Sequence, residues 1–300
     1  MRIFTTEEII GNTPLVRLQK LYTGPNIIAC KLEGNNPAGS VKDRPALQMI
    51  ADAEHSGRIK PGDTLIEATS GNTGIGLSMV AAVRGYRMVL IMPEHMSKER
   101  IALMKSYGAE VILTPKDQSM EGSIDKAREM EAAGEGVILN QFGNPSNPEA
   151  HYRTTGPEIW RDTDGKVTHF VASTGTTGTL MGTSRYLKEQ RREIRIVGAR
   201  PDGQGGIPGI RAWPEEYLPA IYDPTRIDRS EEVSKEEAER TARMLASHEG
   251  LFSGISSGGN VAVAIRLARE LEESGVDDAL IVTIICDRGD RYLSTGVFPA

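Results

Sequence analysis

The chain has 300 residues, 35 of them Lys or Arg and 41 Asp or Glu, for a net charge of −6. That length suffices for two α/β lobes with a sizeable core. The absence of any basic block argues against a nucleic-acid or anionic-membrane surface, leaving a small molecule as the expected partner. The only cysteines, Cys30 and Cys286, are far apart and lack CxxC or Cys/His spacing, so neither a disulfide scaffold nor a bound metal is expected.

The N-terminal stretch Met1 to Glu8 lacks the apolar region of a signal peptide. The strongest apolar run, Ala279 to Cys286, is too short to span a bilayer, so a cytoplasmic protein without membrane contact is expected. Short β-branched runs predict strands at Thr64 to Ala68, Met88 to Met92, Val111 to Thr114, Val137 to Leu139, His169 to Ala172, Ile194 to Gly198 and Leu280 to Ile285. Between them, helical patterns run over Gly71 to Arg84, Ser97 to Tyr107, Ser119 to Ala133, Thr177 to Gln190, Ser234 to His248 and Gly258 to Glu273. This is the rhythm of βαβ units, predicting an α/β fold of largely parallel twisted sheets with helices on both faces. Ser234 to Glu237 has capping-box spacing, and Gly85, Gly108, Gly134 and Gly250 fall where helices should stop. The Pro/Asn/Gly-rich break Gly143 to Pro148 divides the units, predicting lobes at 1–145 and 146–300. A second irregular stretch, Pro201 to Pro224, reads equally as a surface loop or an active-site lid.

Four segments carry the candidate chemistry. In Asn35 to Arg44, a Gly/Ser/Pro-rich turn places Lys42 where a helix begins; a desolvated lysine amine can form a Schiff base with a carbonyl cofactor. Strand Thr64 to Ala68 runs into Thr69-Ser70-Gly71-Asn72-Thr73-Gly74 at a helix start, where free N–H groups, hydroxyls and an amide suit a carboxylate, although simple capping also accounts for these residues. Strand His169 to Ala172 leads into Ser173-Thr174-Gly175-Thr176-Thr177-Gly178-Thr179, where glycines and hydroxyls suit a phosphate. This loop has neither the Walker A nor the GxGxxG pattern, which favours a small phosphorylated cofactor over a nucleotide. Gly254-Ile255-Ser256-Ser257-Gly258-Gly259 forms a third such loop, readable as a cap or as a hydroxyl donor to a ring nitrogen. The five histidines have no zinc-ligand spacing, no GxSxG elbow occurs, and Met88, Met92, Met96 and Met104 read as core filler.

In this order the segments resemble the fold-type II family of pyridoxal-phosphate enzymes, and within it the cysteine synthases (O-acetylserine sulfhydrylases), from Ile10-Gly11-Asn12-Thr13-Pro14-Leu15 to Tyr292-Leu293-Ser294-Thr295-Gly296. Lys31 to Pro37, Ile207 to Arg211 and Cys286 to Tyr292 resemble the family's B isozymes more than its A isozymes. The resemblance implies two three-layer α/β lobes, with residues 13–34 crossing to the second lobe, and a homodimer. It implies that Lys42 holds pyridoxal 5'-phosphate and moves the substrate α-proton, that Asn72 bonds the ring hydroxyl, that Gly175, Thr176, Thr177, Gly178 and Thr179 bind the phosphate, and that Ser256 meets the pyridine nitrogen. Thr69, Ser70, Thr73 and Gln141 would bind the substrate carboxylate. The implied reaction is β-replacement on O-acetylserine or O-phosphoserine by sulfide or thiosulfate, through an α-aminoacrylate, giving cysteine or S-sulfocysteine; a serine or threonine dehydratase is the alternative. Arg211 is a candidate anion contact, and Cys286 reads as a buried residue at a strand end. Arg200 to Gly206 is less serine-rich than the B pattern, which leaves the sulfur donor open.

Overall fold

The computed structural model describes residues 3–204, 206–215 and 218–298; Gly205, within the irregular stretch, lies outside them. The strands are β1 (Leu15–Arg17), β2 (Ile27–Leu32), β3 (Thr64–Ala68), β4 (Arg87–Pro93), β5 (Glu110–Thr114), β6 (Val137–Ile138), β7 (His169–Ser173), β8 (Arg195–Pro201), β9 (Arg229–Val233) and β10 (Leu280–Ile285). They form a four-stranded sheet in the order β5-β4-β3-β6 and a six-stranded sheet in the order β1-β2-β10-β7-β8-β9. Every pairing is parallel except β1 with β2, so the expected α/β class with largely parallel sheets is what the chain adopts.

The helices are α1 (Asp43–His55), α2 (Asn72–Arg84), α3 (Lys98–Ser106), α4 (Ser119–Ala132), α5 (Ser146–Ala150), α6 (Gly156–Asp162), α7 (Gly178–Gln190), α8 (Lys235–Met244) and α9 (Ile255–Glu273). Their starts and stops have local causes. Ser234 Oγ accepts the Glu237 N–H at 3.0 Å to cap α8, and Gly85 takes φ +77° to end α2, a left-handed conformation that L side chains resist. One boundary differs from expectation. Helix α9 begins at Ile255, so Ser256 and Ser257 lie in its first turn and not in a loop before it.

The central parallel strands β3, β4, β7 and β10 are buried on both faces, which is why they read as continuous apolar runs. Leu65, Leu90, Ile75 and Leu77 are fully buried in one core, and Phe170, Ile196, Leu180 and Val282 in another. Burying each such side chain stabilises the fold by about 1.5–3 kcal/mol. Strand β2 joins β10 in register from Ile27 opposite Leu280 to Leu32 opposite Ile285, which places this early segment in the sheet built mainly from later strands. As a result, the carboxyl ends of β3, β7 and β10 open onto one cavity.

Candidate active site

The cavity measures about 920 Å³. Lys42, Thr69, Ser70, Asn72, Thr73, Gln141, Gly175, Thr176, Thr177, Arg211 and Ser256 line it, as does Thr179. Gly178 is buried just behind, opening α7. Open α/β sheets place ligands at the carboxyl ends of their strands because the following helix N-termini present unpaired N–H groups there.

Lys42 is the residue immediately before α1, and its backbone is held from both sides. Val41 N–H donates to Cys286 O at 2.8 Å and Ser40 pairs with Asp287, tying the lysine turn to the end of β10. Two residues on, the Arg44 guanidinium forks onto two buried carboxylates. Nε and Nη2 donate to Glu33 at 2.7 and 2.8 Å, and Nη1 and Nη2 to Glu158 at 2.7 and 2.8 Å. Lys31 Nζ, fully buried in β2, adds a contact to Glu158 at 2.8 Å. Burial lowers the Lys42 pKa and favours the free amine, with Cys286 and Asp287 opposing that shift.

The β3 turn supplies a donor set. Thr73 Oγ1 donates to Gln141 Oε1 at 2.6 Å, which consumes the amide oxygen and leaves the Gln141 NH₂ as a donor at the cavity wall. Asn72 is fixed in the same way. Its Nδ2 donates to Asp287 Oδ2 at 2.7 Å and its Oδ1 accepts from Arg291 Nη1, so one N–H remains for a ligand.

The β7 turn is shaped for close approach. Thr177 adopts φ +71°, a left-handed conformation rare for a threonine and of the kind that clusters at ligand clamps. A Cβ on Gly175 would lie 2.6 Å from Gly209 O, and one on Gly178 would lie 2.0 Å from Asn147 Oδ1. Thr176 Oγ1 accepts from Asn147 Nδ2 at 3.2 Å, and Thr179 Oγ1 meets His151 Nε2 at 3.3 Å. The Thr177 hydroxyl is buried and has no partner, beside the N–H groups that open α7. An orphaned hydroxyl, free amides and the positive end of a helix dipole fit a phosphate.

The stretch read as either a surface loop or a lid packs over this turn. Ile207 and Ile210 are buried and paired with each other, Arg211 N–H donates to Thr174 O at 3.0 Å, and Gly209 lies against Ser256. Its two isoleucines enter the same core as α9, which anchors it as a cavity wall. Met88, Met92 and Met104 are core, and Met96 packs against the same core while also facing the cavity. One side-chain reading is corrected. Cys286 directly follows β10 but is only partly buried and also faces the cavity; burial and Asp287 push its thiol up to about 11.

Sequence reasoning missed the residues that hold these groups: Glu67, Asn147, Asp287 and Arg291. Asp287 had a signal, since it follows a strand end as Thr69 and Thr174 do.

The model of the family described as pyridoxal-phosphate dependent enzyme matches residues 6–287. The chain belongs to that family. Its cofactor is pyridoxal phosphate, and the orphaned Thr177 hydroxyl and the partly buried Lys42 side chain at one cavity fit that group. Within the family, the chain is 59% identical to cysteine synthase B of Pseudomonas aeruginosa over 98% of this chain and 97% of that protein. It is 58% identical to cysteine synthase B of Escherichia coli over 98% and 96%. Among solved structures, O-ureido-L-serine synthase superposes with a TM-score of 0.93 at 38% identity, covering 99% of this chain and 96% of the other. The cysteine synthase of Entamoeba histolytica gives 0.91 at 39%, covering 99% and 91%.

Proposed function

We propose that this family member makes cysteine by β-replacement on an activated serine, O-acetylserine or O-phosphoserine, using sulfide, or thiosulfate to give S-sulfocysteine. The observation that carries this is the meeting, in one cavity, of a desolvated lysine, a turn of carboxylate donors and an anion turn with an orphaned hydroxyl. The names of the relatives support the same chemistry. Bound at Lys42, pyridoxal phosphate supplies a conjugated ring that accepts the negative charge developing at the substrate α-carbon.

The chain's own residues do the rest. Gly175 to Thr179 and the start of α7 hold the phosphate, Asn72 donates its remaining N–H to the ring hydroxyl oxygen, and the Ser256 hydroxyl meets the pyridine nitrogen without contributing a charge. Thr69, Ser70, Thr73 and the Gln141 NH₂ bind the substrate carboxylate, which orients the α-hydrogen. The Lys42 amine, released once the substrate amine takes its place on the cofactor and held toward its neutral form by burial, would take the α-proton while acetate or phosphate leaves the β-carbon, and would return the proton after sulfur has added there.

Arg211 is the contact for a charged sulfur donor or for a phosphorylated serine. Its guanidinium lies 5.9 Å from the Phe142 ring centre and 5.1 Å from that of Trp213, at the cavity rim, and no carboxylate among the described residues forms an ion pair with it. Replacing it with alanine raises KM for thiosulfate and spares sulfide turnover; equal loss with both rejects the role. The working unit is a cytoplasmic homodimer. The Arg84–Glu7 pair brings the segment carrying Ile9 to the end of α2 carrying Val83, each about half exposed, and no described helix is long and apolar enough to cross a membrane.

The test is direct. Purified enzyme should form cysteine from O-acetylserine and sulfide, and borohydride should fix the cofactor on Lys42. Pyruvate release from serine with no cysteine formed would instead make it a β-eliminating dehydratase.

A further inference from the structure

Glu67, near the end of β3, is only 3% exposed and belongs to no ion pair among the described residues. A buried carboxylate without a cation is costly unless its oxygens are satisfied by hydrogen bonds, so where those bonds go is informative. Glu67 Oε2 accepts the Asn140 N–H at 2.9 Å and Oε1 accepts the Gln141 N–H at 3.1 Å, one oxygen for each consecutive amide. Asn140 is held at φ +59°, a strained conformation for a non-glycine residue, and such strain persists only where the surroundings over-determine it. The same turn is tied twice more, by Asn144 Nδ2 to Leu139 O at 2.8 Å and by Asn147 Nδ2 to Gln141 O at 2.8 Å. Its output is the Gln141 side chain, whose oxygen meets Thr73 Oγ1 at 2.6 Å. One strand therefore builds both halves of the donor set. It delivers Thr69 to Thr73 through the chain itself, and Gln141 through the Glu67 carboxylate.

We infer that Glu67 is a positioning residue that sets the Gln141 amide at the substrate carboxylate site, so that it governs affinity for the amino-acid carboxylate and not for the amine or the cofactor. This rests on the assignment of Thr73 and Gln141 to that carboxylate. Glutamine at position 67 keeps the shape but presents an NH₂ where one of the two amides now finds an acceptor.

The test compares holoenzyme binding of L-alanine, which has the carboxylate but no β-leaving group, with binding of ethylamine, which has only the amine, each followed by the visible spectrum of the cofactor. At pH 8, where Glu67 is ionised, Glu67→Gln should weaken L-alanine about tenfold, as expected for loss of a hydrogen bond to a charged group, and leave ethylamine and cofactor retention unchanged. Glu67→Asp, which keeps the charge but withdraws it by one methylene, should fall between. Gln141→Ala serves as the control for the underlying assignment: if it leaves L-alanine binding intact, the carboxylate site is misplaced. If Gln141→Ala weakens L-alanine while Glu67→Gln does not, or if Glu67→Gln weakens both ligands equally, only the role of Glu67 is overturned. Should the Gln variant not fold, the Asp variant and wild-type hydrogen exchange decide. The Asn140 and Gln141 amides should be protected, and exchange at free-peptide rates would rule out the carboxylate contact.

Discussion

Asn72 donates to Asp287 across the cavity floor at 2.7 Å, linking the first turn of α2 to the residue beyond Cys286 at the end of β10. With Arg291 on its oxygen and Asp287 on its nitrogen, the Asn72 amide is held in one orientation, so in the proposed contact it would meet the cofactor as a donor. Asp287→Ala should release it and weaken cofactor binding about tenfold, the scale of one charge-assisted hydrogen bond. Titration of cofactor into resolved apoenzyme measures this, and an unchanged Kd would show that the amide is oriented by other contacts.

Arg44 contributes to stability through the carboxylates it neutralises. Glu33 and Glu158 are both nearly fully buried, and removing their shared cation strands the Glu33 charge and leaves Glu158 with Lys31 alone. Arg44→Ala should cost about 3–5 kcal/mol in urea unfolding, the range for breaking a buried pair from one side. Burial works to raise the Glu158 carboxyl, and Arg44 together with Lys31 more than reverses it, bringing it down to about 2. A depressed carboxylate stabilises the fold above its unfolded value near 4.5, and that stabilisation is lost as pH falls toward 2. The variant's acid unfolding between those values should therefore be shallower than the parent's.

Much of this architecture was legible because parallel strands buried on both faces read as apolar runs; β3 and β10 fall on the residues expected. The segments that escaped did so for physical reasons. Strand β2 contains Lys31, whose charge is neutralised by Glu158 and Asp162, partners 127 and 131 residues away (158 − 31 and 162 − 31). Strand β9, Arg229–Val233, is an exposed edge rich in charge and carries no core signal. The turns that line the cavity were visible from hydroxyls and glycines following strands. Their supports were not, since Glu67 acts on backbone amides some 73 residues later and Asp287 on Asn72. Such contacts are set by topology, which local pattern does not encode.

Two glycines separate packing from loop conformation. A Cβ at Gly182 would lie 1.9 Å from Pro148 O and 2.8 Å from His151 Cβ, so Gly182→Ala must push α7 off the segment beneath it. At Gly71, φ is −114° and no atom lies within 4 Å of the added carbon. Thermal melts should show Gly182→Ala destabilised by about 1–3 kcal/mol, as for other overpacked sites, and Gly71→Ala unchanged. Similar Tm values for the two would contradict the close contact between α7 and Pro148.

Glu67 also predicts a pH signature. Burial raises its carboxyl to about 7, against the lowering effect of the amides of Gln141 and Asn140. An acid whose folded pKa lies above its unfolded value binds protons more tightly when folded, so its contribution to stability falls as pH rises from about 4.5 through 7. Glutamine does not titrate. Other groups, including the buried His151, whose pKa is held well below the usual value, act alike in both proteins and cancel in the comparison. Relative to its parent, Glu67→Gln should therefore gain stability between pH 5 and pH 8, on the order of 2 kcal/mol, followed by denaturant midpoints at each pH. A constant difference across that range would mean that Glu67 keeps an ordinary carboxylate pKa.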